Sequence, residues 1–348
     1  MTTLTSYSLK SMPRCFATAS IGQPTDSLPT RLAHLSHAGF TQIELAFPDL
    51  LTFASQLSHR EVGEKDWSAL EEAASEVKKV CEGLGLQVYI LQPFGKFEGW
   101  REGSEERREV WERVEGWVGI MKAVGTRTLQ VGSSDAEGID TSCEAVVKDL
   151  RLLCDKLKEA DPSFRVAYEN WCWSSHAPTS QAVWEIVEAV DRDNIGLCLD
   201  TFQHAGAVLA DPTKEDGLIA STDREEAYRK SLEQLRQIPP DKIIFLQISD
   251  AYKVTPPLED KTVDSLRPRG RWSHDYRPFP FATSSPDGYL PVVEITKAVL
   301  ETGFRGTLSM EVFDGGIEGK GAKDRDLKEY AKEGMRSLDR LLEEVEKA

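Results

Sequence analysis

Short apolar runs rich in β-branched residues recur along the chain, each followed by a polar connection and then a longer stretch with helical spacing. That alternation predicts βα units and a parallel sheet, whose strands are covered on both faces and so lack a polar side. Eight such runs centre on Cys15 to Ala19, Gln42 to Leu45, Gln87 to Leu91, Thr128 to Val131, Arg165 to Tyr168, Gly196 to Leu199, Ile243 to Gln247 and Thr307 to Glu311. Leu28, Leu32 and Leu35 mark a helix over Ser27 to Ala38, and Asp66 stands as N-cap of a helix running towards Leu84. Glu105 to Val124 repeats the pattern. Gly39, Gly85, Gly125 and Gly303 each follow a helical stretch, where a left-handed residue ends a helix. The last helix, Asp324 to Lys347, turns Leu327, Met335, Leu338, Leu341 and Leu342 inward and its charges to solvent. Eight βα units in 348 residues predict an α/β chain forming one (β/α)8 TIM barrel over residues 1–348, rather than two domains.

Two segments break the rhythm. Ala207 to Asp223 and Tyr252 to Asp287 are too long and too rich in Pro, Gly and charge to be ordinary connections. Both follow strands, which places them on the C-terminal face of the barrel, where long loops build the active site or its lid. The first also reads as a disordered connection without function.

Composition narrows the partners. Charged residues at 29% and hydrophobic ones at 40% are a globular balance with material for a sizeable core. A formal charge of −16 and a pI near 5.0 oppose a nucleic-acid partner, which needs clustered Lys and Arg to neutralise phosphates. A small anion is not excluded, because a metal and a few basic side chains reverse the field inside one pocket. Six scattered cysteines without a CxxC pair suit reduced thiols and a cytoplasmic setting. No run resembles a signal h-region and nowhere do 18 apolar residues follow one another, so neither export nor a membrane is expected. A homo-oligomer is admitted but not required.

Four of the later strands end in a metal-capable oxygen donor: VAYE at Glu169, LCLD at Asp200, IIFLQ at Gln247 and LSME at Glu311. Any one alone reads as a polar residue where a strand meets solvent. Together, parallel closure brings the C-terminal ends of such strands round a common mouth. Three carboxylates buried there without a cation would be costly through desolvation and mutual repulsion. The all-oxygen set suits one divalent ion such as Mg²⁺, Mn²⁺ or Co²⁺, with zinc less favoured in the absence of thiolate or imidazole.

At YENWCW, CLDTF, FLQISD, SMEVF and LQPF, and in the late stretch RWSHDYRPFPF, the chain resembles the xylose-isomerase-like barrels, most closely the fungal-type 3-dehydroshikimate dehydratases. The likeness covers nearly the whole chain in order, spacing and insertion length. It implies metal ligands at Glu169, Asp200, Gln247 and Glu311. It also implies contacts to a cyclic hydroxy-acid substrate from Ser273 and Arg277, the latter gripping the carboxylate as a planar fork, and Gln92 matches too; Glu44 and Trp272 are further expected substrate contacts. The implied reaction is metal-dependent loss of water from 3-dehydroshikimate to give protocatechuate, a step of quinate and shikimate breakdown. Three positions depart from the pattern: Phe47 and Gln203 stand where relatives commonly carry histidine, and Phe97 replaces a frequent tyrosine. His176, His204, His274 and Lys96 are the titratable groups near the predicted mouth, and His204, Lys96 and Gln203 form the expected catalytic set. Trp171 and Trp173 are expected, with Trp272, to wall the pocket.

The same barrel supports sugar isomerases and epimerases, in which Glu169 and Glu311 would also move protons, and a substrate-shifted dehydratase is a further reading. Ser273 and Arg277 favour the acid over a neutral ketose. A barrel endonuclease would carry a His-rich multinuclear site and a basic face, and neither is present in the sequence. A metal-binding module without turnover is the remaining alternative.

Overall fold

The computed structural model describes residues 9–283, 288–321 and 325–348. Strands β1 (Arg14–Ala17), β2 (Gln42–Ala46), β3 (Gln87–Phe94), β4 (Thr128–Gly132), β5 (Arg165–Glu169), β6 (Ile195–Asp200) and β7 (Ile243–Ile248) run parallel in sequence order. Thr307–Met310, numbered β9 because a two-residue strand β8 (Tyr276–Arg277) precedes it, pairs with β7 on one side and β1 on the other and closes the barrel. Every expected strand is present, most within one or two residues of its predicted bounds. Glu311 lies one residue beyond the end of β9.

Helices α1 (Leu28–Ala38), α2 (Phe47–Ser58), α3 (Trp67–Leu84), α4 (Glu105–Val124), α5 (Cys143–Ala160), α6 (Ser180–Val190), α7 (Thr201–Val208) and α8 (Arg224–Gln237) separate the strands. Later come α9 (Pro268–Asp275), α10 (Val292–Glu301) and α11 (Leu327–Lys347). Local chemistry sets their ends. Ser27 caps α1 by accepting from the Thr30 amide, and Asp66 caps α3 by accepting from that of Ala69. Gly39, Gly85, Gly125 and Gly303 all hold positive φ, which lets each helix turn directly into the following strand or loop without a Cβ penalty. In α11, Leu338, Leu341 and Leu342 are buried, while Leu327 and Met335 pack on the edge of the core. The predicted first residue of that helix, Asp324, lies outside the described residues.

The two long segments have defined structure where they are described, against the alternative of a disordered first connection. Residues 207–223 finish α7 and then turn back through an Ala210–Leu218 bridge, stabilised by Asp211 accepting from the Thr213 amide. The second segment folds into α9 and β8, and β8 pairs antiparallel with β10 (Phe313–Asp314), which follows β9. It is thus a strap laid across the C-terminal face and tied to the chain beyond the last barrel strand. Asp287, its predicted end, lies outside the described residues.

Period-two alternation decides what fills the barrel. Cys15, Ile90, Ala167, Cys198 and Phe245 form an apolar layer in its interior with Ile244 and Tyr89. Two residues further along their strands come Gln92, Glu169, Asp200 and Gln247, so the same face that is apolar below becomes polar at the mouth. All six cysteines are free. Among the described residues no helix is long and apolar enough to cross a membrane.

Candidate metal centre

Glu169, Asp200 and Glu311 each offer a carboxylate oxygen within 4.8 Å of the others, and all three residues are buried. Glu44 joins them from β2, so four buried carboxylates share the barrel mouth with one buried cation, Arg277. Burial pushes the Glu311 carboxyl up to about 7 and raises Glu169 and Glu44 well above the carboxylate range, with the neighbouring Glu311 charge adding to both. Asp200 is raised less, because burial is opposed by Arg277 beside it and by backbone amides.

Each carboxylate is oriented by hydrogen bonds. Glu169 Oε2 accepts from the Gln130 amide and, at 3.0 Å, from Trp171 Nε1. Asp200 Oδ1 accepts from the Phe202 amide at 2.7 Å, and Oδ2 lies 2.6 Å from Arg277 Nη2. Glu311 Oε1 accepts from Gln92 Nε2 at 3.4 Å, and its Oε2 lies 3.0 Å from Arg277 Nη1. Glu44 accepts from the Ser309 hydroxyl and, at 2.8 Å, from Gln247 Nε2. The opposite end of the Gln247 amide, Oε1, accepts from the Cys198 thiol at 3.2 Å. Gln247 therefore lies against the carboxylates, held between Glu44 and Cys198.

The donor set fits a divalent cation. Glu169 Oε1 is buried and has no hydrogen-bond partner, a costly state for a carboxylate oxygen unless a cation meets it. Four carboxylates against one guanidinium leave an excess of negative charge in a low-dielectric mouth, which an ion of charge two would largely neutralise. The other oxygens keep a second lone pair beyond the hydrogen bonds they accept.

The structure does not gather every expected residue round this cluster. Arg277 is there, but directed at Asp200 and Glu311 rather than at an open pocket; Ser273 Oγ accepts from its Nη1 at 3.3 Å. Trp272 is fully buried, donates its indole N–H to the Tyr252 carbonyl and packs on Phe202, so it supports the strap from behind. His204 is pinned between Ser180 of α6 and Ser231 of α8, with each ring nitrogen 3.0 Å from a hydroxyl, and burial lowers it to about 4. Gln203 accepts from the Cys172 amide and thereby holds the loop after β5. Lys96 sits exposed, in a left-handed conformation, beside a groove of about 340 Å³ with Phe47, Trp100 and Arg113 in its walls. Phe47, where histidine is common among relatives, stacks on Trp117. His176 pairs with Glu98 and Tyr168 instead of the cluster, and His274 hydrogen-bonds the Gly270 carbonyl within its own helix.

Sequence reasoning passed over Gln130, Ser249 and Ser309. The available signal was polarity at an inward position of an apolar strand: Gln130 stands two residues before Gly132 in TLQVG, and Ser309 two before Glu311.

Comparison with known proteins agrees with this architecture. Residues 32–341 match the family model described as xylose isomerase-like TIM barrel. The 3-dehydroshikimate dehydratase of Neurospora crassa is 30% identical over 344 residues, covering 96% of this chain and 92% of that protein. A solved xylose isomerase-like TIM barrel/4-hydroxyphenylpyruvate dioxygenase fusion protein is 27% identical with a TM-score of 0.68; the match covers 94% of this chain and 42% of that one. The zinc-bound structure of the IolI protein shares the fold at a TM-score of 0.65 and 18% identity, covering 97% of this chain and 99% of that one. The chain therefore belongs to the xylose isomerase-like TIM-barrel family, alongside the fungal-type 3-dehydroshikimate dehydratases.

Proposed function

We propose that this chain is a divalent-metal-dependent carbon–oxygen lyase that converts 3-dehydroshikimate to protocatechuate and water, in the breakdown of quinate and shikimate. The observation that carries the reading is the buried Glu169, Asp200 and Glu311 triad with its unpartnered Glu169 oxygen, in a chain whose near full-length relative from N. crassa bears that activity in its name. Glu169, Asp200, Glu311 and the Gln247 amide would hold the ion, and Mg²⁺, Mn²⁺ and Co²⁺ suit such oxygen donors. When bound, it supplies Lewis-acid polarisation of the substrate ketone.

The protein's own part is orientation and dryness. Gln130 and Trp171 fix Glu169, the Phe202 amide and Arg277 fix Asp200, and Ser309 with Glu44 fixes Gln247. The apolar layer below excludes water from the floor of the mouth. Conversion requires removal of a C6 proton, departure of the C5 hydroxyl as water, and tautomerisation of the resulting ring to the catechol. Of the three residues expected to move protons, His204 and Gln203 are engaged with other groups and Lys96 is exposed beside its own groove, so the proton transfer is assigned to none of them. Arg277 and Ser273 on the strap, together with the named relative, favour the dehydratase over an isomerase or epimerase.

The test is direct. Metal-stripped protein is mixed with 3-dehydroshikimate and Mg²⁺, Mn²⁺ or Co²⁺, and protocatechuate is followed by its ultraviolet absorbance, with Glu311→Gln as control. Metal-dependent product that disappears in the variant supports the reading. Tight metal binding without product under any metal rejects the dehydratase and moves the assignment to the isomerases.

A further inference from the structure

We infer that the groove beside Lys96 is a second ligand site, separate from the carboxylate cluster, for a small aromatic carboxylate: one flat ring carrying one carboxyl group.

The groove lies at the C-terminal ends of β2 and β3, since Phe47 directly follows the first and Lys96 stands two residues past the second. None of Glu44, Glu169, Asp200, Gln247 and Glu311 lines it. The turn at Gly95 and Lys96 separates the two places. A Cβ on Gly95 would come within 2.9 Å of Trp171, the indole that donates to Glu169, whereas Lys96, at φ 54, borders the groove.

Two buried donors on one helix face point to an acceptor ligand. Arg113 and Trp117 both line the groove from α4 and stand four residues apart, which puts their Cβ atoms about 5–6 Å from each other. Trp117 is 3% exposed, and its Nε1 has no hydrogen-bond partner. Nε of Arg113 is likewise buried and unpartnered, while Nη2 donates to the Gly95 carbonyl at 2.5 Å and the guanidinium lies 4.4 Å above the Phe94 ring. Buried N–H groups left without acceptors are costly, and one carboxylate brings two acceptor oxygens.

Charge and shape select the rest of the ligand. Glu64, Glu106 and Glu109 also line the groove, but all three are exposed at its rim, and Glu109 lies 3.7 Å from Lys65. The buried charge is the guanidinium, and Lys96 adds an exposed ammonium beside it. Phe47, Trp67, Trp100 and Trp117 supply aromatic wall; Phe47 stacks on Trp117 at 4.8 Å, and Trp100 is fixed by donating its indole N–H to the Lys96 carbonyl at 3.0 Å. Such walls favour a flat ring. The volume of about 340 Å³ is at the small end for ligand sites and suits a single ring.

Benzoate is the probe, titrated calorimetrically into the full-length protein with and without Mn²⁺. A dissociation constant at or below about 1 mM is expected, the same within about threefold in both conditions. Trp117→Phe keeps a ring against Phe47 and removes the N–H; Arg113→Met removes Nε and the charge. Each should weaken benzoate about tenfold or more, the worth of one hydrogen bond to a charged group. Lys96→Ala, at an exposed position, should weaken it about threefold and keeps the test decisive if a buried variant fails to fold. Cyclohexanecarboxylate, with the same charge on a puckered ring, should bind about threefold more weakly or worse. Absence of binding to the native protein up to about 10 mM overturns the inference. So does native affinity in Lys96→Ala and the folded buried variants, or a tenfold tightening by Mn²⁺, which would put the carboxylate on the ion instead. Equal affinity for cyclohexanecarboxylate overturns the aromatic assignment. No turnover is read, so the outcome is independent of the dehydration proposed above.

Discussion

The indole of Trp171 lies across Gly132, close enough that a Cβ added there would come within 2.1 Å of the ring. Gly132 ends β4, and the space it leaves lets Trp171 reach back and donate to Glu169. Gly132→Ala should therefore displace the indole and free Glu169 Oε2 from one of its two donors. We expect metal affinity to fall about tenfold or more, and stability to fall by about 1–3 kcal/mol from overpacking. Mn²⁺ titration and thermal unfolding measure the two effects separately. Native metal affinity in a folded Gly132→Ala protein would mean that Trp171 does not orient the ligand.

Four carboxylates with raised values give the metal-stripped protein a defined pH response. Glu311 titrates near 7 in the fold against 4.5 as its ordinary value, because burial disfavours its charge. A group raised on folding contributes stability that is full below the unfolded value and is lost as pH rises through the folded one. The metal-stripped protein should thus lose melting temperature between about pH 5 and pH 8, and Glu311→Gln should flatten that loss. Metal reverses the preference by binding the charged forms. Saturation at about a hundred times the dissociation constant should add about 2.7 kcal/mol, most visibly at the alkaline end. An identical melting profile with and without Mn²⁺ would argue that the cluster binds no ion.

Much of this site was legible in the sequence, and the limits have physical causes. The strands showed because parallel strands buried on both faces read as apolar runs, and their polar last residues Glu169, Asp200 and Gln247 interrupt those runs. The partner of Arg277 did not show. It lies on a strap with neither helical nor strand periodicity over most of its length, and the contact with Asp200 spans 77 residues of sequence. His204 was misleading for a related reason: four residues past Asp200 it sits on α7, so helical rotation decides which way it faces, and it faces the hydroxyls of α6 and α8.

That placement of His204 has a measurable consequence. Its imidazole is held neutral by burial at a value of about 4, below the usual 6.5. Neutral His204 contributes stability above pH 6.5 that is lost as pH falls towards 4, because the unfolded chain takes up the proton first. The displacement corresponds to about 3 kcal/mol. His204→Gln should be less stable at pH 7 yet show a shallower loss on acidification, read by urea unfolding at pH 7 and pH 5. Its kcat at pH 7 should stay within about threefold of native. A folded variant slowed a hundredfold would return His204 to the proton-transfer machinery.

Glu98 anchors the other side of the mouth without touching the carboxylate cluster. Its buried Oε1 accepts from the Ser134 amide at 2.8 Å and the Tyr168 hydroxyl at 2.9 Å, and lies 3.1 Å from His176 Nε2. One carboxylate oxygen thus joins the loop after β3 to the ends of β4 and β5 and to the loop after β5. Tyr168 precedes Glu169 but projects to the opposite face of the strand, so the network secures the backbone of the ligand-bearing strand from outside the barrel. Glu98→Ala would leave the buried Ser134 amide without its acceptor and Tyr168 and His176 with only each other, at a cost of about 1–3 kcal/mol. Glu98→Gln keeps the shape and an acceptor oxygen and should cost less. If the anchor is structural, both variants melt earlier while Mn²⁺ affinity, measured well below the melting temperature, remains within about threefold of native. A tenfold loss of affinity in Glu98→Gln would instead make this buried network part of what sets the position of Glu169.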